Sequence, residues 1–316
     1  MYPRLSDFLE RLLGVDLPFD IYSFGAMVAV AILVAAWIAS KELDRMYASG
    51  LIAGVRVPET KAGKRVTYSD VSPSSIMGTV TVITVFGGFA GAKLFHILEN
   101  LDDFFAAPLS MIFSSGGFTF YGGLVFASIG VVWYVKKKGL GVGRFIDAVA
   151  PTLILAYGIG RIGCHLAGDG DWGIESDPGA RPAFLPEWLW AETYPNNIRT
   201  GAPLPAPVYP TSLYEFAAGL LLFGFLWMIR KHKHAPGWLF SMYLLVAGIE
   251  RFVIEKIRVN NEFDLLGFSV TQAEVISIAL VALGVLGLAR TWMPRPGQVI
   301  EGESPENDLV SGQPTG

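Results

Sequence analysis

Apolar residues recur along this chain in seven long runs separated by short polar stretches. The runs cover 22–40, 75–98, 119–135, 146–166, 210–229, 238–257 and 270–289. Crossing a hydrocarbon core of roughly 30 Å takes about 20 helical residues, so each run has the length of a transmembrane helix and not of a strand. Several carry a charge or a glycine cluster, the mark of helix faces enclosed by other helices rather than turned to lipid. Residues 1–21 have scattered charges and no apolar stretch ending in small residues. They read as an interfacial segment and not as a removable signal peptide. Residues 167–208, rich in Gly, Pro, Trp and acidic side chains, are too polar for lipid and form a small head. The polar, Pro- and Gly-rich residues 291–316 read as a disordered tail. The pattern predicts an all-α, polytopic membrane helix bundle of about seven spans, with spans one to four in 22–166 and five to seven in 209–290.

Composition agrees with that pattern and removes alternatives. Of 316 residues, 52% are hydrophobic and 16% charged, which is more apolar surface than a soluble core absorbs. A net charge of −4, with basic residues only in short clusters, excludes nucleic acid as a partner. Cys164 is the only cysteine, so no intramolecular disulfide forms. Lys and Arg gather in alternate connections: Lys41, Arg45, Arg56, Lys61, Lys64 and Arg65 in the first, Lys136, Lys137, Lys138 and Arg144 in the third, Arg230, Lys231 and Lys233 in the fifth. The second connection, 99–117, has none. Positive charge favours the cytoplasmic side, which puts the N-terminus and the head outside and the tail inside. The basic fifth connection also holds His232 and His234, read as solvated. No internal repeat is visible, against the inverted-repeat transporters.

The densest chemical anomaly is Gly160-Arg161-Ile162-Gly163-Cys164-His165 at the end of the fourth apolar run, followed by Asp169, Asp171 and Trp172. An arginine at the centre of a membrane helix costs about 2.5–3.5 kcal/mol on insertion scales and calls for an anionic partner or ligand. Its bland alternative is a structural ion pair or a snorkelling side chain. In the sixth run Arg251, Glu255 and Arg258 share one helical face. There a carboxylate between two guanidiniums would orient their planar donor forks toward a phosphate. Glu250 and Lys256 lie on other faces and read as structural. On the same side of the membrane stand Tyr121 with Gly122 and Gly123, Glu215 in Tyr209-Pro210-Thr211-Ser212-Leu213-Tyr214-Glu215, and Lys93 with His96. From position alone Tyr121 reads first as an aromatic-belt residue; Glu215 reads also as a purely structural counter-ion and Lys93 as a snorkelling cation. Arginines and a few acids near the outer leaflet suit an anionic lipid head group, whether for transfer chemistry or for binding alone.

Taken in order, these motifs resemble those of the prolipoprotein diacylglyceryl transferase family. Gly160-Arg161-Ile162-Gly163 with Trp172-Gly173 is similar to the family's fourth-helix signature, and Tyr121-Gly122-Gly123-Leu124 to its His-or-Tyr-Gly-Gly-Leu element. Tyr209 through Glu215 resembles its His-Pro-Ser/Thr-Gln-Leu-Tyr-Glu run, and Arg251 through Arg258 its Arg-x-x-x-Glu-x-x-Arg. Gly91-Ala92-Lys93 resembles a Gly-Gly/Ala-Arg element, and Ser269 through Ile276 a Ser-x-Gly-Gln-x-Leu-Ser segment. The chain departs where the signature continues Asn-Phe-x-Asn-Gly-Glu: here stand Cys164, His165, Leu166, Ala167, Gly168 and Asp169, with one extra residue before Trp172. Phe24 also replaces a tyrosine, and Ser212 a glutamine.

The resemblance implies a multi-pass enzyme of the bacterial plasma (inner) membrane. Such an enzyme transfers the diacylglyceryl group of phosphatidylglycerol to the lipobox cysteine of prolipoprotein signal peptides and releases glycerol 1-phosphate. It implies phosphatidylglycerol, prolipoproteins and membrane lipids as partners, and no metal or organic cofactor. Arg161 and Arg251 then stabilise the departing phosphate, supported by Glu255 and Arg258. Tyr121 stands where many members have a histidine that helps activate the thiol, and His165 is the alternative for that role. Lys93, Glu215, Gly122, Gly123, Gly160 and Asp169 complete the implied substrate site. Two other functions remain open to the residues: a transferase of the same fold with another acceptor, and a non-catalytic lipid-binding or transport protein. Cys164 reads as a small core hydrophobe.

Overall fold

A computed structural model describes residues 2–14, 18–59, 67–114, 116–265 and 267–292. Most of the tail read as disordered, and Lys61, Lys64 and Arg65 of the first basic connection, lie outside the described residues. Each of the seven apolar runs is a helix. They are α2 (Ser23–Ala48), α3 (Met77–Glu99), α6 (Phe120–Lys137), α7 (Val142–Ala167), α8 (Thr211–Ile229), α9 (Trp238–Glu255) and α10 (Gln272–Thr291). Five of these, α2, α3, α7, α8 and α10, are long and apolar enough to cross a membrane. The other two have 18 residues each, and α9 carries Glu250, Arg251 and Glu255 within that length. The all-α membrane architecture expected from the pattern is the one observed. Short elements accompany it: α1 (Leu5–Leu13), α4 (Leu101–Ala106) and α5 (Pro108–Phe113), with antiparallel hairpins of β1 (Val55–Glu59) with β2 (Thr67–Val71) and β3 (Glu262–Leu265) with β4 (Phe268–Thr271).

The described residues divide into two compact units, one within 2–38 and 146–292, the other within 39–145. In the first unit, Ala150 and Ile154 of α7, Leu226 of α8, and Trp238 and Leu239 of α9 form a buried core. Helix α10 packs along α9. It opens on a capping box in which Thr271 Oγ1 accepts from the Glu274 backbone N–H and Glu274 accepts from that of Thr271, and Lys256 pairs with the same glutamate. Helix α1 folds back through Leu5 N–H to the Ile21 carbonyl at 2.6 Å, leaving Leu12 and Leu13 exposed. The head segment 168–210 has little regular structure and is organised by polar side chains. Asn197, fully buried, accepts from the backbone N–H groups of Arg199 and Thr200 and donates to the Tyr194 and Ala202 carbonyls. One residue type in that loop therefore satisfies several backbone groups at once.

At the start of α7, Asp147 is buried and its two oxygens accept from Gly237 N–H at 2.7 Å and Phe240 N–H at 2.9 Å. A carboxylate of one helix thus serves the orphan donors that open another. Of the two histidines expected to be solvated, His232 has a buried side chain and His234 is half-buried. The His232 side chain is 6% exposed and lies 4.0 Å from Asp147, and His234 stacks on Trp238 with ring centroids 4.4 Å apart. Trp238 and Trp292 supply the apolar cover, which a reading of the basic loop alone misses.

In the second unit, α3 and α6 approach through glycine. A Cβ built at Gly91 would stand 2.4 Å from the Gly122 carbonyl oxygen, and one at Gly122 the same distance from that of Gly91. Any side chain at either position would force the backbones apart, as at the small-residue contacts of membrane helices.

Candidate active site

The first unit gathers charges from two helices and two loop positions that span residues 161–258. Arg161 projects from the last third of α7, Glu215 from the first turns of α8, Asp171 from the loop after α7, and Arg258 from just beyond α9. Arg161 Nη2 donates to Glu215 Oε1 at 2.7 Å, and its Nη1 pairs with Asp171 Oδ2. Arg258 bonds the same two carboxylates, through Nη2 to Asp171 Oδ1 at 2.6 Å and through Nη1 to Glu215 Oε2 at 3.2 Å. Each carboxylate therefore bridges both guanidiniums. Glu215 is fully buried, Arg258 and Arg161 are 7% and 13% exposed, and Asp171 is the outermost at 34%. Tyr157, one turn before Arg161, donates its hydroxyl to Glu215 at 2.7 Å, and its ring centroid lies 5.2 Å from the Arg161 guanidinium carbon.

Local backbone fixes the outer members. Thr211 and Ser212 hydroxyls both donate to the Asp171 carbonyl, at 2.9 and 2.8 Å. Gly173 pairs with Arg258 in an isolated bridge, and its N–H donates to the Tyr209 carbonyl. A Cβ at Gly173 would stand 2.6 Å from the Ile257 carbonyl oxygen, so this position admits only glycine without displacing Arg258. The helix expected to carry Arg251, Glu255 and Arg258 on one face ends at Glu255. Arg258 leaves it, and the expected three-residue clamp is split. Arg251 Nη2 lies 2.7 Å from Glu255 Oε2, while Glu255 Oε1 accepts from Asn260 at 2.7 Å.

Electrostatics follows from this packing. Burial opposes ionisation of Asp171, but the Arg161 and Arg258 guanidiniums outweigh it and hold its carboxyl below the usual carboxylate range. Burial raises Asp169, and the neighbouring Asp171 charge pushes it the same way. For Arg258, burial works against the charge, and Glu215 and Asp171 more than restore it. Among the described residues, three guanidinium nitrogens are buried without an acceptor: Nε of Arg161, Nη1 of Arg251 and Nε of Arg258. Leaving a donor to a charged group unmet costs more than about 1–3 kcal/mol, so such atoms mark places where an acceptor is missing.

The other anticipated residues are placed as follows. Asp169 accepts from the Asp171 N–H at 3.2 Å. His165 Nδ1 lies 3.3 Å from the Tyr194 hydroxyl, and Cys164 is buried with its Sγ 3.7 Å from Arg161 Nη1. Gly160 has open space where a side chain would be. Lys93, in the second unit, donates to the Ser114 and Gly116 carbonyls at 3.2 and 2.8 Å and sits over the Phe118 ring, so it ties down a loop. Tyr121 packs against Phe120 at the start of α6, where Gly122 and Gly123 serve the contact with α3. Among the described residues, Cys164, Asp169 and Asp171 have ligand atoms within 4.8 Å of one another, a cation-sized cluster. Asp171 already faces two guanidiniums there, so the cluster holds less negative charge than its acids suggest. Two members of the site escaped the sequence reading. Tyr157 lies within the fourth apolar run, where nothing in the sequence singles it out, and Asp171 stands beside the Gly160–His165 segment without a role.

A family model described as prolipoprotein diacylglyceryl transferase matches residues 12–290. The phosphatidylglycerol–prolipoprotein diacylglyceryl transferase of Corynebacterium diphtheriae is 29% identical over 258 residues, covering 77% of this chain and 87% of its own. Those of Pseudomonas aeruginosa and Vibrio cholerae are each 31% identical. They cover 69% and 85% of this chain, and 76% and 86% of their own. With a match that runs from α1 to the last turns of α10 and takes in all four members of the ion-paired site, this chain belongs to the prolipoprotein diacylglyceryl transferase family.

Proposed function

We propose that this protein transfers the diacylglyceryl group of phosphatidylglycerol to the lipobox cysteine thiol of prolipoproteins and releases glycerol 1-phosphate. The observation that carries the reading is the pair of buried guanidiniums, Arg161 and Arg258, whose Nε–H groups have no acceptor. The substrate's thiol sulfur attacks the glyceryl carbon that bears the phosphate. A C–S bond forms, the C–O bond breaks, and the electron pair leaves on the phosphate oxygen. Charge grows on that phosphate in the transition state, and preorganised donors lower its energy there. Arg161 and Arg258 take this role, with Arg251, oriented by Glu255, contributing its free Nη1. Glu215 and Tyr157 hold Arg161 in place. A free thiol ionises near pH 8.5, roughly, and must lose its proton to react; that proton is balanced by the released phosphate monoester, which can carry it as its monoanion. Tyr121 stands at the family's histidine position.

The reading places the protein in a bacterial plasma membrane with the N-terminus, the 167–208 head and the active site on the extracytoplasmic side, and the C-terminus in the cytoplasm. The basic connections support that orientation. Its substrates are then a lipid of the outer leaflet and a signal peptide presented there.

The test is reconstitution with phosphatidylglycerol and a lipobox peptide, following peptide mass and released glycerol phosphate together. The expected result is one diacylglyceryl addition per peptide cysteine. Arg161→Lys keeps the charge and removes the fork, and it should lower kcat by about 10²-fold. Full activity in Arg161→Lys would end the phosphate-clamp assignment. Glycerol phosphate release with no lipobox requirement would favour another acceptor, the second reading. That reading draws its support from Cys164 and Ala167, which stand where the family pattern has asparagines.

A further inference from the structure

We infer that Asp171 is an internal competitor for the phosphate-binding site, a carboxylate that occupies the Arg161–Arg258 fork and leaves it when a phosphate group arrives. The inference rests on the transferase reading for the identity of the phosphate, but not for the exchange itself. Its starting point is charge. Arg161 and Arg258 carry two positive charges, and Glu215 and Asp171, which bridge them, carry two negative ones. The closed quartet is neutral. Arg251 with Glu255 is neutral too, and the half-buried Glu250 adds a carboxyl, one oxygen of which is buried without a donor. An anion entering this cluster as it stands gains no net attraction, although three guanidinium nitrogens lack acceptors. One carboxylate must give way.

Geometry selects which. Glu215 is fully buried on α8 and is held by Arg161, Arg258 and Tyr157 at once. It has no route outward. Asp171 is 34% exposed, sits on a loop, and spans the two arginines with one oxygen on each. Two oxygens of one phosphate can take the same two partners. Because the Asp171 carbonyl is pinned by Thr211 and Ser212, the exchange requires rotation of the side chain alone and leaves the loop in place. Asp171 is thus a positioning residue. It keeps both forks aligned before substrate binds, and its return competes with the product. Phosphatidylglycerol is a phosphodiester with one charge, whereas glycerol 1-phosphate is a monoester carrying close to two near neutral pH. A returning carboxylate therefore opposes the species that binds these arginines more strongly.

The experiment uses the full chain in nanodiscs and compares wild type with Asp171→Asn and Asp171→Glu. Removing the competing charge raises the fraction of empty forks, so the Ki of glycerol 1-phosphate should fall about tenfold in Asp171→Asn. The KM for phosphatidylglycerol should fall less, and kcat should drop as product lingers. Asp171→Glu, which restores the charge, should return Ki toward wild type. A merely structural role moves thermal stability and leaves this split absent. Unchanged or raised Ki in a folded Asp171→Asn protein overturns the inference. If that variant does not fold, Asp171→Ser is read the same way. Direct titration with glycerol 1-phosphate, and with phosphatidylglycerol against phosphatidylcholine nanodiscs, needs no turnover and separates free phosphate from lipid head group. Tighter binding in Asp171→Asn without peptide modification by wild type would remove the transferase reading and keep the exchange. Peptide modification with binding insensitive to Asp171 would do the reverse.

Discussion

Helix α7 carries a buried charge near each end, and the two are satisfied in opposite ways. Asp147 accepts from two backbone N–H groups at the start of α9, partners that are part of the fold and that no ligand displaces. Arg161 is held by side chains, one of them half-exposed, and keeps an Nε–H with nothing to bond. A charge spent on backbone donors builds structure. A charge held by other charges, with donors left over, is set for something that arrives later.

The contrast is broken most forcefully at Glu215. Glu215→Ala leaves Arg161 and Arg258 buried with a single shared carboxylate. It should cost about 3–5 kcal/mol, read as a lower thermal midpoint in detergent, and abolish peptide modification. A stable, active variant would mean the quartet is not the site. Gly173→Ala separates position from charge. The new methyl meets the Ile257 carbonyl and shifts Arg258, so activity should fall about 10²-fold while Arg258 itself is intact. At the other pole, Asp147→Ala removes two acceptors from the opening of α9. It should destabilise by about 1–2 kcal/mol, a cap-sized loss, with kcat unchanged in the folded protein. Loss of kcat there would erase the distinction between the poles. The smallest effect concerns pH. Asp171 is held below its ordinary range, so its stabilising contribution is complete above about pH 4 and is lost as pH falls through the lower folded value. The stability difference between wild type and Asp171→Asn should therefore be constant above about pH 4 and shrink below it, which acid denaturation curves of the two would show.

What the sequence made legible was what each segment decides for itself. The seven helices follow from apolar length, because a hydrocarbon environment leaves an apolar run few other choices. Arg161 stood out because a charge in such a run is costly. What pairs with it was harder. Glu215 was foreseen as a counter-ion for one arginine, yet it serves two, and the Arg258–Asp171 pair joins residues 87 apart. The end of α9 at Glu255 broke the expected Arg251–Glu255–Arg258 face, because Arg258 is drawn into a bridge with Gly173 that no helical periodicity reveals. His232 and His234 misled for the same reason. Trp238, which covers His232 and stacks on His234, follows within six residues, whereas Trp292, which packs on His234, comes from the end of α10 and meets it only after folding.

The spacing of the ion quartet along the chain also sets an order of events during synthesis. Arg161 is made 54 residues before Glu215, and chain growth at about 5–20 residues per second leaves it several seconds without its buried partner. Asp171 follows after only ten residues. Of the two carboxylates that hold Arg161 in the folded protein, the loop carboxylate is therefore made first, and the residue inferred to yield its place to substrate precedes the permanent partner on α8.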